Sequence, residues 1–453
     1  MKKLLFGDKS FYISLVSLAM PIALQNFISS ALNLVDTVMI GQLGEAEIAA
    51  VALANQIFFL LILFLFGISS GAGIFHAQFW GKGDVPNIRK VLGISLVGGI
   101  SVALLFTIAS LVIPRELMGL FSQDTRVIHM GSAYLRIVSL SFIMTAVSFC
   151  YSFTLRCTGK AGLPTYISFI ALIANTLLNY VLIFGVLGFP SLGVEGAAIA
   201  TVIARVVEMV LMLVIVYGRK LVPAASFKEM LDFDLSFVKR FLNTTTPVIL
   251  NEILWSVGIT MYTVAYGRMG TGVLASINIA STVERIALVL FMGMANACAV
   301  LVGNKIGEGD EKTAFLYAKR LIVLGPLTGI VMGGIVIGAS DWILSIYKVS
   351  EVVYNDAKYI LMIFGLLIAF KIFNMINVVG ILRSGGDTTF CLIMDTAGIW
   401  LIAVPLAFIG GLVWSLPVYI VYLLVNLEEV FKIALGIPRF ISGKWINNLV
   451  KHM

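Results

Sequence analysis

Long apolar runs separated by short polar segments extend over almost the whole chain. A helix that crosses a lipid bilayer needs about 20 mostly apolar residues, and runs of this length recur along the sequence. We predict twelve membrane-spanning helices, at 14–40, 48–78, 91–113, 131–155, 163–185, 194–217, 241–266, 272–302, 317–338, 354–379, 388–410 and 413–435. Several runs exceed the thickness of a bilayer, so these helices must tilt or project beyond it.

The composition also indicates a chain embedded in lipid. Apolar residues make up 60% of the chain, charged residues make up 12%, and the mean hydropathy is +1.02. Soluble domains contain about 45–50% apolar and about 25% charged residues. Lys2 and Lys3 precede the first apolar run, but no small-residue cleavage pattern follows, so we expect a first membrane helix there. The prediction is a multi-pass protein of the cytoplasmic (inner) membrane.

The Lys and Arg residues lie mostly on one side of the predicted spans. Those assigned to the opposite side are Arg115, Arg126, Arg268, Lys348 and Lys358. Because positively charged loops remain in the cytoplasm, we predict that both termini are cytoplasmic. The residues assigned to the cytoplasmic side include Arg156, Arg320, Arg383 and Lys432. Loops that face an anionic leaflet also explain the net charge of +7 without a nucleic-acid partner.

The sequence contains an internal repeat of half its length. The turn GKGD at 81–84 recurs as GEGD at 307–310, a displacement of 226 residues. A displacement of 227 residues aligns LRCTGK at 155–160 with LRSGGD at 382–387. Each half therefore holds six predicted helices, and because six is even, both halves begin on the cytoplasmic side. Such repeats are related by a pseudo-two-fold axis along the membrane normal, with the substrate site expected between them.

The repeat defines the predicted domain organisation. We predict an all-α membrane protein with a six-helix lobe at 1–220, a cytoplasmic linker at 221–240 and a second six-helix lobe at 241–453. Pro21 and Pro247 occupy equivalent positions inside the first helix of each lobe and remove a backbone hydrogen bond there. They are either bend points used in gating or static kinks.

These motifs together resemble the multidrug and toxic compound extrusion (MATE) family of transporters. The resemblance rests on the Pro-containing first helix ending in VDTVMIGQLG, its counterpart YGRMGTGVLAS, the two Gly-x-Gly-Asp turns, and the LRCTG and LRSGGD segments. It covers nearly the whole chain. It implies a bacterial-type transporter with twelve helices in two lobes around a central cavity. Such a protein exports amphipathic, often cationic compounds in exchange for Na⁺ or H⁺ and needs no cofactor.

Ionisable groups inside the predicted spans are functional candidates, because a charge at a helix centre costs at least about 2.5–3.5 kcal/mol on insertion scales. Four polar residues of the first half fall in roughly the outer third to half of the bilayer: Asp36, Asn175, Asn179 and Thr201. A carboxylate with amide and hydroxyl oxygens can hold Na⁺, or the carboxylate can hold a proton. The resemblance likewise implies cation coupling for these four positions. Helix capping by Asp36 and interhelical hydrogen bonds of the two Asn residues are the alternatives.

Five ionisable residues of the second half share a depth near the membrane midplane: Glu252, Glu284, Arg285, Lys371 and Asp395. Their acidic excess would suit a cationic substrate or a travelling proton, so we predict a substrate or proton pathway. A purely structural ion-pair network is the alternative. In the first half, Arg205 and Glu208 have the spacing of an internal salt bridge.

Other functional classes lack their usual sequence signatures. Cys150, Cys157, Cys298 and Cys391 fall inside predicted helices and read as small core residues. His76, His129 and His452 show no ligand spacing, so we predict no metal site beyond a possible Na⁺ site. No G-x-x-x-x-G-K-[ST] phosphate loop occurs, which argues against ATP-driven transport.

Two alternatives to drug export remain open. A lipid-linked oligosaccharide flippase can share this architecture, but more cationic residues would then be expected in the membrane interior. An intramembrane enzyme would need a nucleophile and base or paired metal ligands at mid-depth, and the sequence has no H-E-x-x-H or G-x-S-x-G motif. We expect a monomeric, non-enzymatic transporter whose partners are small organic cations or other amphipathic substrates and membrane lipid.

Overall fold

The computed structural model describes residues 8–451, and this part of the chain forms helices and no β-strand. The α-helices, numbered in chain order, are α1 (Lys9–Gly41), α2 (Glu45–Lys82), α3 (Val85–Val112), α4 (Pro114–Gly119), α5 (Thr125–Ser139), α6 (Phe142–Cys157), α7 (Gly162–Phe184), α8 (Gly193–Gly218), α9 (Phe227–Leu231), α10 (Leu235–Met269), α11 (Thr271–Gly307), α12 (Glu311–Leu344), α13 (Glu351–Met375), α14 (Thr388–Ala397), α15 (Val404–Phe408), α16 (Val418–Val425) and α17 (Leu427–Ile441). Three π-helical segments lie in the last third of the chain, at Ile376–Leu382, Gly398–Ala403 and Ile409–Val413.

Most of the predicted membrane spans appear as long apolar helices. Within the described residues, ten helical stretches are long and apolar enough to cross a membrane, and α5 with α6, bent by 49°, form an eleventh. The predicted span at 413–435 corresponds to α16 and α17, which are separated at Asn426. Neither helix is long enough to cross a membrane alone, with 8 residues in α16 and 15 in α17, and α17 carries charges at Glu428, Glu429 and Lys432.

The chain divides into two compact units. One unit is Leu24–Thr245, called here the first unit; the second unit contains residues 246–451 together with residues 8–23. Both boundaries lie within three residues of Pro21 and Pro247, inside α1 and α10. Helix α1 therefore contributes its first half to the second unit and its remainder to the first.

The predicted domain boundaries differ from these compact units at the start of the chain. The lobes at 1–220 and 241–453 remain a prediction. The predicted linker at 221–240 contains the short helix α9, which begins with a capping box in which Ser226 and Glu229 exchange hydrogen bonds between side chain and backbone.

Each unit contains one copy of the repeated Gly-x-Gly-Asp turn. Gly83 and Gly309 have φ angles of 76° and 80°, in the left-handed region that glycine occupies without steric penalty. Asp84 then accepts a hydrogen bond from the backbone N–H of Asn87 at 3.2 Å and starts α3. Asp310 accepts from the backbone N–H of Thr313 at 3.0 Å and starts α12. The turns recur because each unit needs a glycine turn followed at once by a helix cap.

Apolar side chains fill the interior of the first unit and also cover its outside. Leu61, Leu65 and Phe142 belong to a fully buried cluster between α2 and α6. By contrast, Leu105 and Val112 on α3 are 66% and 70% exposed. Large exposed apolar surface is expected when hydrocarbon, rather than water, surrounds the helices.

Close helix packing in the second unit depends on small residues. A Cβ added to Gly333 on α12 would lie only 2.0 Å from the carbonyl oxygen of Gly365 on α13. Such contacts let membrane helices approach closely and gain packing energy. Cys150, Cys157, Cys298 and Cys391 are buried and unbridged, as small core residues should be.

Several basic residues assigned to the cytoplasmic side are buried or half-buried within the units. Arg320, Arg383 and Lys432 are 5%, 4% and 5% exposed, and Arg156 is half-buried. Arg320 donates to Asp8 at 3.2 Å, and Arg156 donates to Gln25 at 2.7 Å. The side of the membrane assigned to them stays a prediction, but their acidic and amide partners could not be read from position along the chain. Lys2, Lys3 and His452, used in the sequence argument, lie outside the described residues.

Candidate functional site

The four residues predicted to bind a cation come together in the first unit. Asp36 lies on α1, five residues before the end of that helix, and Asn179 lies on α7. The side-chain amide of Asn179 donates a hydrogen bond to Oδ1 of Asp36. Asp36 is half-buried, and Asn179 is fully buried. The carboxylate is therefore held by a residue 143 positions away rather than by its own helix end.

Asn175 and Thr201 continue this cluster. Asn175 lies one helical turn before Asn179 on α7, and its Oδ1 accepts from Asn179 Nδ2 at 3.0 Å. Asn175 Nδ2 lies 3.5 Å from Thr201 Oγ1 on α8, and that hydroxyl donates to the carbonyl of Ala197 at 3.0 Å. The result is a continuous polar chain from Asp36 to Thr201 across α1, α7 and α8. We call these four side chains the Asp36 cluster.

The Asp36 cluster offers oxygens suited to a hard cation. Over the part of the chain that the structure describes, Asn179 Oδ1 is buried without a hydrogen-bond partner. A carboxylate, two amide carbonyls and a hydroxyl are the ligand types that an alkali cation prefers. The set contains no sulfur or imidazole ligand. In residues 8–451, no group of three or more His, Cys, Asp or Glu side chains could hold a metal ion.

A second polar chain in the first unit was only partly predicted. Arg205 and Glu208 form the expected ion pair, with Nη1 and Oε2 separated by 2.8 Å. Ser168 donates to Glu208 Oε1 at 2.9 Å, and Gln25 donates to Ser168 at 3.2 Å. Arg156 in turn donates to Gln25 at 2.7 Å. Gln25 and Ser168 were missed because uncharged polar residues in a membrane helix often bond only their own backbone.

The predicted second-half residues separate into different pairs. Arg383 donates to Glu252 at 2.8 Å. Lys371 lies 3.3 Å from Glu284, which also accepts a hydrogen bond from the hydroxyl of Tyr422. All of these residues belong to the second unit.

Asp395 belongs to a third group, and Arg285 to none of them. Asn251 donates to Asp395 Oδ2 at 2.9 Å, and Lys432 Nζ lies 3.7 Å from Asp395 Oδ1. Arg285 is exposed on α11 and makes none of the ion pairs seen in residues 8–451. The expected counter-charges are therefore corrected: Lys371, Lys432 and Arg383 neutralise the buried acids, and Arg285 does not.

Three charged residues of this interior were missed by the sequence reasoning: Glu428, Glu429 and Lys432 on α17. Glu428 and Lys432 are 8% and 5% exposed, and with Gly436 and Phe440 they form the buried face of that helix. A signal was present, because the four-residue spacing places these charges on one helical face while Leu and Ile occupy the other. The last helix is thus charged toward the protein and apolar toward its surroundings.

Comparison with known proteins relates the whole chain to membrane transporters. A family model described as MatE matches residues 21–181 and 247–409. The chain is 27% identical over 412 residues to a probable multidrug resistance protein, YoeA, of Bacillus subtilis, covering 88% of this chain and 87% of that protein. It is 25% identical over 437 residues to a probable multidrug resistance protein, NorM, of Thermotoga maritima, covering 95% and 92%.

The fold is also shared with solved structures. A mutant of the Vibrio cholerae MATE transporter VcmN superposes with a TM-score of 0.88 at 18% sequence identity, covering 97% of this chain and 98% of that one. Proteins of this structural group have twelve helices in two lobes. The likeness confirms the predicted all-α, two-lobed membrane fold.

Proposed function

Because the chain belongs to the MATE family of transporters, we propose that it is a secondary antiporter that exports amphipathic, often cationic compounds in exchange for Na⁺ or H⁺. Relatives over most of its length are described as probable multidrug resistance proteins. Those descriptions support small organic molecules as the substrates. The proposed role requires no chemical change to the substrate, so we infer that the protein is not an enzyme.

The observation that carries this proposal is the Asp36 cluster. A carboxylate within a membrane helix is costly unless it is paired or binds a cation. Here its Oδ1 is bonded to a neutral amide, Asn179, and the nearby carboxamide and hydroxyl oxygens add no positive charge. We infer that Asp36, Asn175, Asn179 and Thr201 hold the coupling ion, either as Na⁺ among these oxygens or as a proton on Asp36.

The ion gradient provides enough free energy for export. One charge that crosses a potential of 100 mV supplies about 2.3 kcal/mol. A tenfold gradient of the same ion adds about 1.4 kcal/mol. Together these sustain a concentration ratio of a few hundred for a neutral substrate exchanged for one cation. We propose alternating access, in which cation binding from outside favours the state that has released the drug.

The buried charges of the second unit are the proposed substrate or proton pathway. Glu252, Glu284, Arg285, Lys371 and Asp395 remain the proposed set, and Arg285 is its exposed member. The acids of this set are part of a larger acidic excess that would attract an organic cation. A structural role of the closed Arg383–Glu252 pair is compatible with that assignment.

The proposed setting is the cytoplasmic membrane of a bacterium. The apolar helices support a multi-pass protein, and the bacterial relatives support a bacterial membrane. Basic residues on both sides of the turn between α2 and α3, such as Lys82 and Lys90, favour cytoplasmic termini. We propose that one copy of the chain, surrounded by lipid, is sufficient for transport.

The direct test is transport by the purified chain in lipid vesicles. We expect Asp36→Asn to abolish ethidium export driven by either a Na⁺ or an H⁺ gradient, with the gradients imposed separately. The matched control is Glu116→Gln, which removes an exposed carboxylate on α4 and should leave export unchanged. Export at the wild-type rate by the Asp36→Asn variant would remove this site. Turnover of a lipid-linked oligosaccharide without ethidium export would instead favour a flippase.

A further inference from the structure

The last helix of each unit can be compared position by position. A displacement of 224 residues aligns α8 with α16 and α17, and the connection before the last helix is shorter in the second unit, 414–417 against 185–192. The buried positions then coincide in pairs: Val194 with Val418, Ala197 with Val421, Ala204 with Glu428, Glu208 with Lys432, Met212 with Gly436 and Val216 with Phe440. The two helices therefore present the same face to their own units, with different chemistry.

In the first unit this face forms a neutral, closed group. Glu208 accepts from Ser168 at 2.9 Å and pairs with Arg205 at 2.8 Å. One acid is matched by one base, and both carboxylate oxygens have short hydrogen bonds. Ala204, one turn before Glu208, contributes only a methyl group.

In the second unit the equivalent group contains one acid too many. Lys432 stands in place of Glu208, and Asp395 stands in place of Ser168 under the 227-residue repeat. Lys432 Nζ lies 3.7 Å from Asp395 and 3.6 Å from Glu428. One base is therefore shared between two carboxylates at long distances, whereas the Arg205–Glu208 pair of the first unit is 2.8 Å apart. Glu428 replaces the methyl group of Ala204 and is the unmatched charge.

Unsatisfied polar atoms lie along the buried face of α17 that carries this carboxylate. Glu428 Oε2 has no hydrogen-bond partner within residues 8–451. Asn377 is 0% exposed, and both atoms of its amide group lack partners within the same range. The Asn377 amide faces α17, since a Cβ at Gly436 would lie 2.4 Å from its Nδ2. Gly436 shares the buried face of α17 with Glu428 and Lys432, so Asn377 is aimed along the same polar face.

The wider surroundings add further negative charge. Glu428 is near Glu429 on its own helix, Lys371 on α13 and Asp395 on α14. Glu429 accepts from Asn374 at 2.7 Å, and Lys371 pairs with Glu284 of α11. Tyr262 and Tyr266 of α10 also lie within electrostatic range of Glu428. With Glu284, Asp395, Glu428 and Glu429 ionised against Lys371 and Lys432, a charge of −2 would remain inside the unit, where uncompensated charge is strongly unfavourable.

We propose that Glu428 is a second proton-binding group of this transporter, built into the second unit and separate from the Asp36 cluster. Its carboxylate takes a proton from water on one side of the membrane and returns it to water on the other. When Glu428 is protonated, its O–H can donate to a neighbouring acceptor and Lys432 pairs with Asp395 alone. When it is ionised, Lys432 is shared between the two acids. A metal cation suits this position less well, because the Lys432 ammonium group, 3.6 Å from Glu428, would repel it.

Proton binding can be tested without transport, by infrared difference spectroscopy of the full-length protein in lipid nanodiscs between alkaline and acidic pH. We expect a protonated-carboxyl C=O band that shifts in heavy water and is lost in Glu428→Ala and Glu428→Gln. Glu428→Ala installs the residue found at the equivalent position of the first unit. The band should persist in Asp36→Asn and in the surface variant Glu116→Gln. Lys432→Met, which removes the counter-charge, should enlarge the carboxyl signal.

The role in transport rests on the proposed function and needs its own measurement. One proton moving down one pH unit supplies about 1.4 kcal/mol, a tenfold ratio, so Glu428→Ala should lower H⁺-driven ethidium accumulation about tenfold. A carboxyl band unchanged in both Glu428 variants would overturn the proposal. So would loss of ²²Na⁺ binding in Glu428→Gln without any such band. A band that is present in the wild type and lost in both Glu428 variants, in a wild-type protein that exports no ethidium, would support the proton site and contradict the proposed function.

Discussion

Each unit contains an arginine that donates a hydrogen bond to a side chain on another helix, but the charge of that partner differs between the units. In the first unit, Arg156 donates to the neutral amide of Gln25 at 2.7 Å. In the second, the repeat-related Arg383 donates to the carboxylate of Glu252 at 2.8 Å. The arginine is retained, but its partner is not the aligned residue: the 226-residue repeat places Gln25 over Asn251, and Arg383 pairs instead with the next residue, the acid Glu252. The backbone arrangement is therefore compatible with both a nearly neutral interior and an ionic one.

This difference extends to the groups that could carry ions. In the first unit, Asp36 is bonded to the neutral amide of Asn179 and lies within electrostatic range of Arg205, which is itself paired with Glu208. The single exchangeable cation proposed for this unit would bind at Asp36. At the position equivalent to Asp36, the second unit has Tyr262 under the 226-residue repeat, and its acids lie at other depths. Duplication of the helices thus did not duplicate the proposed ion site, and we propose that the two units perform different parts of one transport cycle.

The largest expected effect concerns the two repeat-related arginines. Arg383→Met leaves Glu252 buried without its counter-charge, which costs about 3–5 kcal/mol. Arg156→Met leaves only a neutral amide unsatisfied, which costs about 1–3 kcal/mol. Thermal unfolding of the purified variants in detergent should therefore show the larger loss for Arg383→Met. The double variant Arg383→Met/Glu252→Gln should recover part of that loss. Equal destabilisation of the two single variants would contradict the proposed contrast.

Asn179→Ala should have the next largest effect, on ion affinity rather than on folding. It removes the amide that donates to Asp36 and to Asn175, at about 1–3 kcal/mol, or roughly 10–100-fold in the ion concentration giving half-maximal export. The measurement is ethidium export as a function of Na⁺ and of pH. Asn33→Ala on α1 is a suitable control, because Asn33 is exposed. An unaltered ion dependence in Asn179→Ala would exclude Asn179 from the site.

Thr201→Val should weaken coupling less than Asn179→Ala does. The Thr201 hydroxyl is already bonded to the carbonyl of Ala197 at 3.0 Å and lies at 3.5 Å from Asn175, so it contributes about 1 kcal/mol, or severalfold in affinity. The same export titration measures this change. A stronger effect than that of Asn179→Ala would reverse the order of importance inferred from the distances.

The smallest effect is expected at the feature that the two units share. Asp84→Ala and Asp310→Ala each remove the side chain that caps α3 or α12. Both should lower the unfolding temperature slightly and by similar amounts, with ion dependence unchanged. A clear difference between the two variants would show that the repeated turns have diverged in role.

Sequence patterns predicted the helices well because lipid imposes a simple requirement of length and apolarity. The repeat could be found because the turn at Gly83 and its copy at Gly309 need the same unusual backbone angle. The members of the Asp36 cluster could also be predicted from sequence, because a single acid and an i, i+4 pair of Asn residues are rare in apolar helices. The four residues could be grouped from sequence because the helical rise places them at similar depths in the membrane.

The contacts between charged residues inside the second unit could not be predicted in the same way. Lys432 was counted only as a basic residue of the cytoplasmic side, whereas in the structure it is buried beside Asp395 of another helix and Glu428 of the preceding turn. Arg285 was included because it matched the others in depth, but depth does not determine which side of a helix faces the protein. A single sequence indicates where each helix lies along the chain, but it does not show which side chains on different helices contact one another.

The most direct test is to follow the coupling ion itself during export. In vesicles loaded with ethidium, ²²Na⁺ uptake and a pH-sensitive dye would be recorded for the wild type and for Asp36→Asn. We predict that ethidium stimulates the flux of one of these ions in the wild type and that this flux is lost in Asp36→Asn. An ethidium-stimulated ion flux of wild-type size in the Asp36→Asn protein would contradict the central claim that the Asp36 cluster carries the coupling ion.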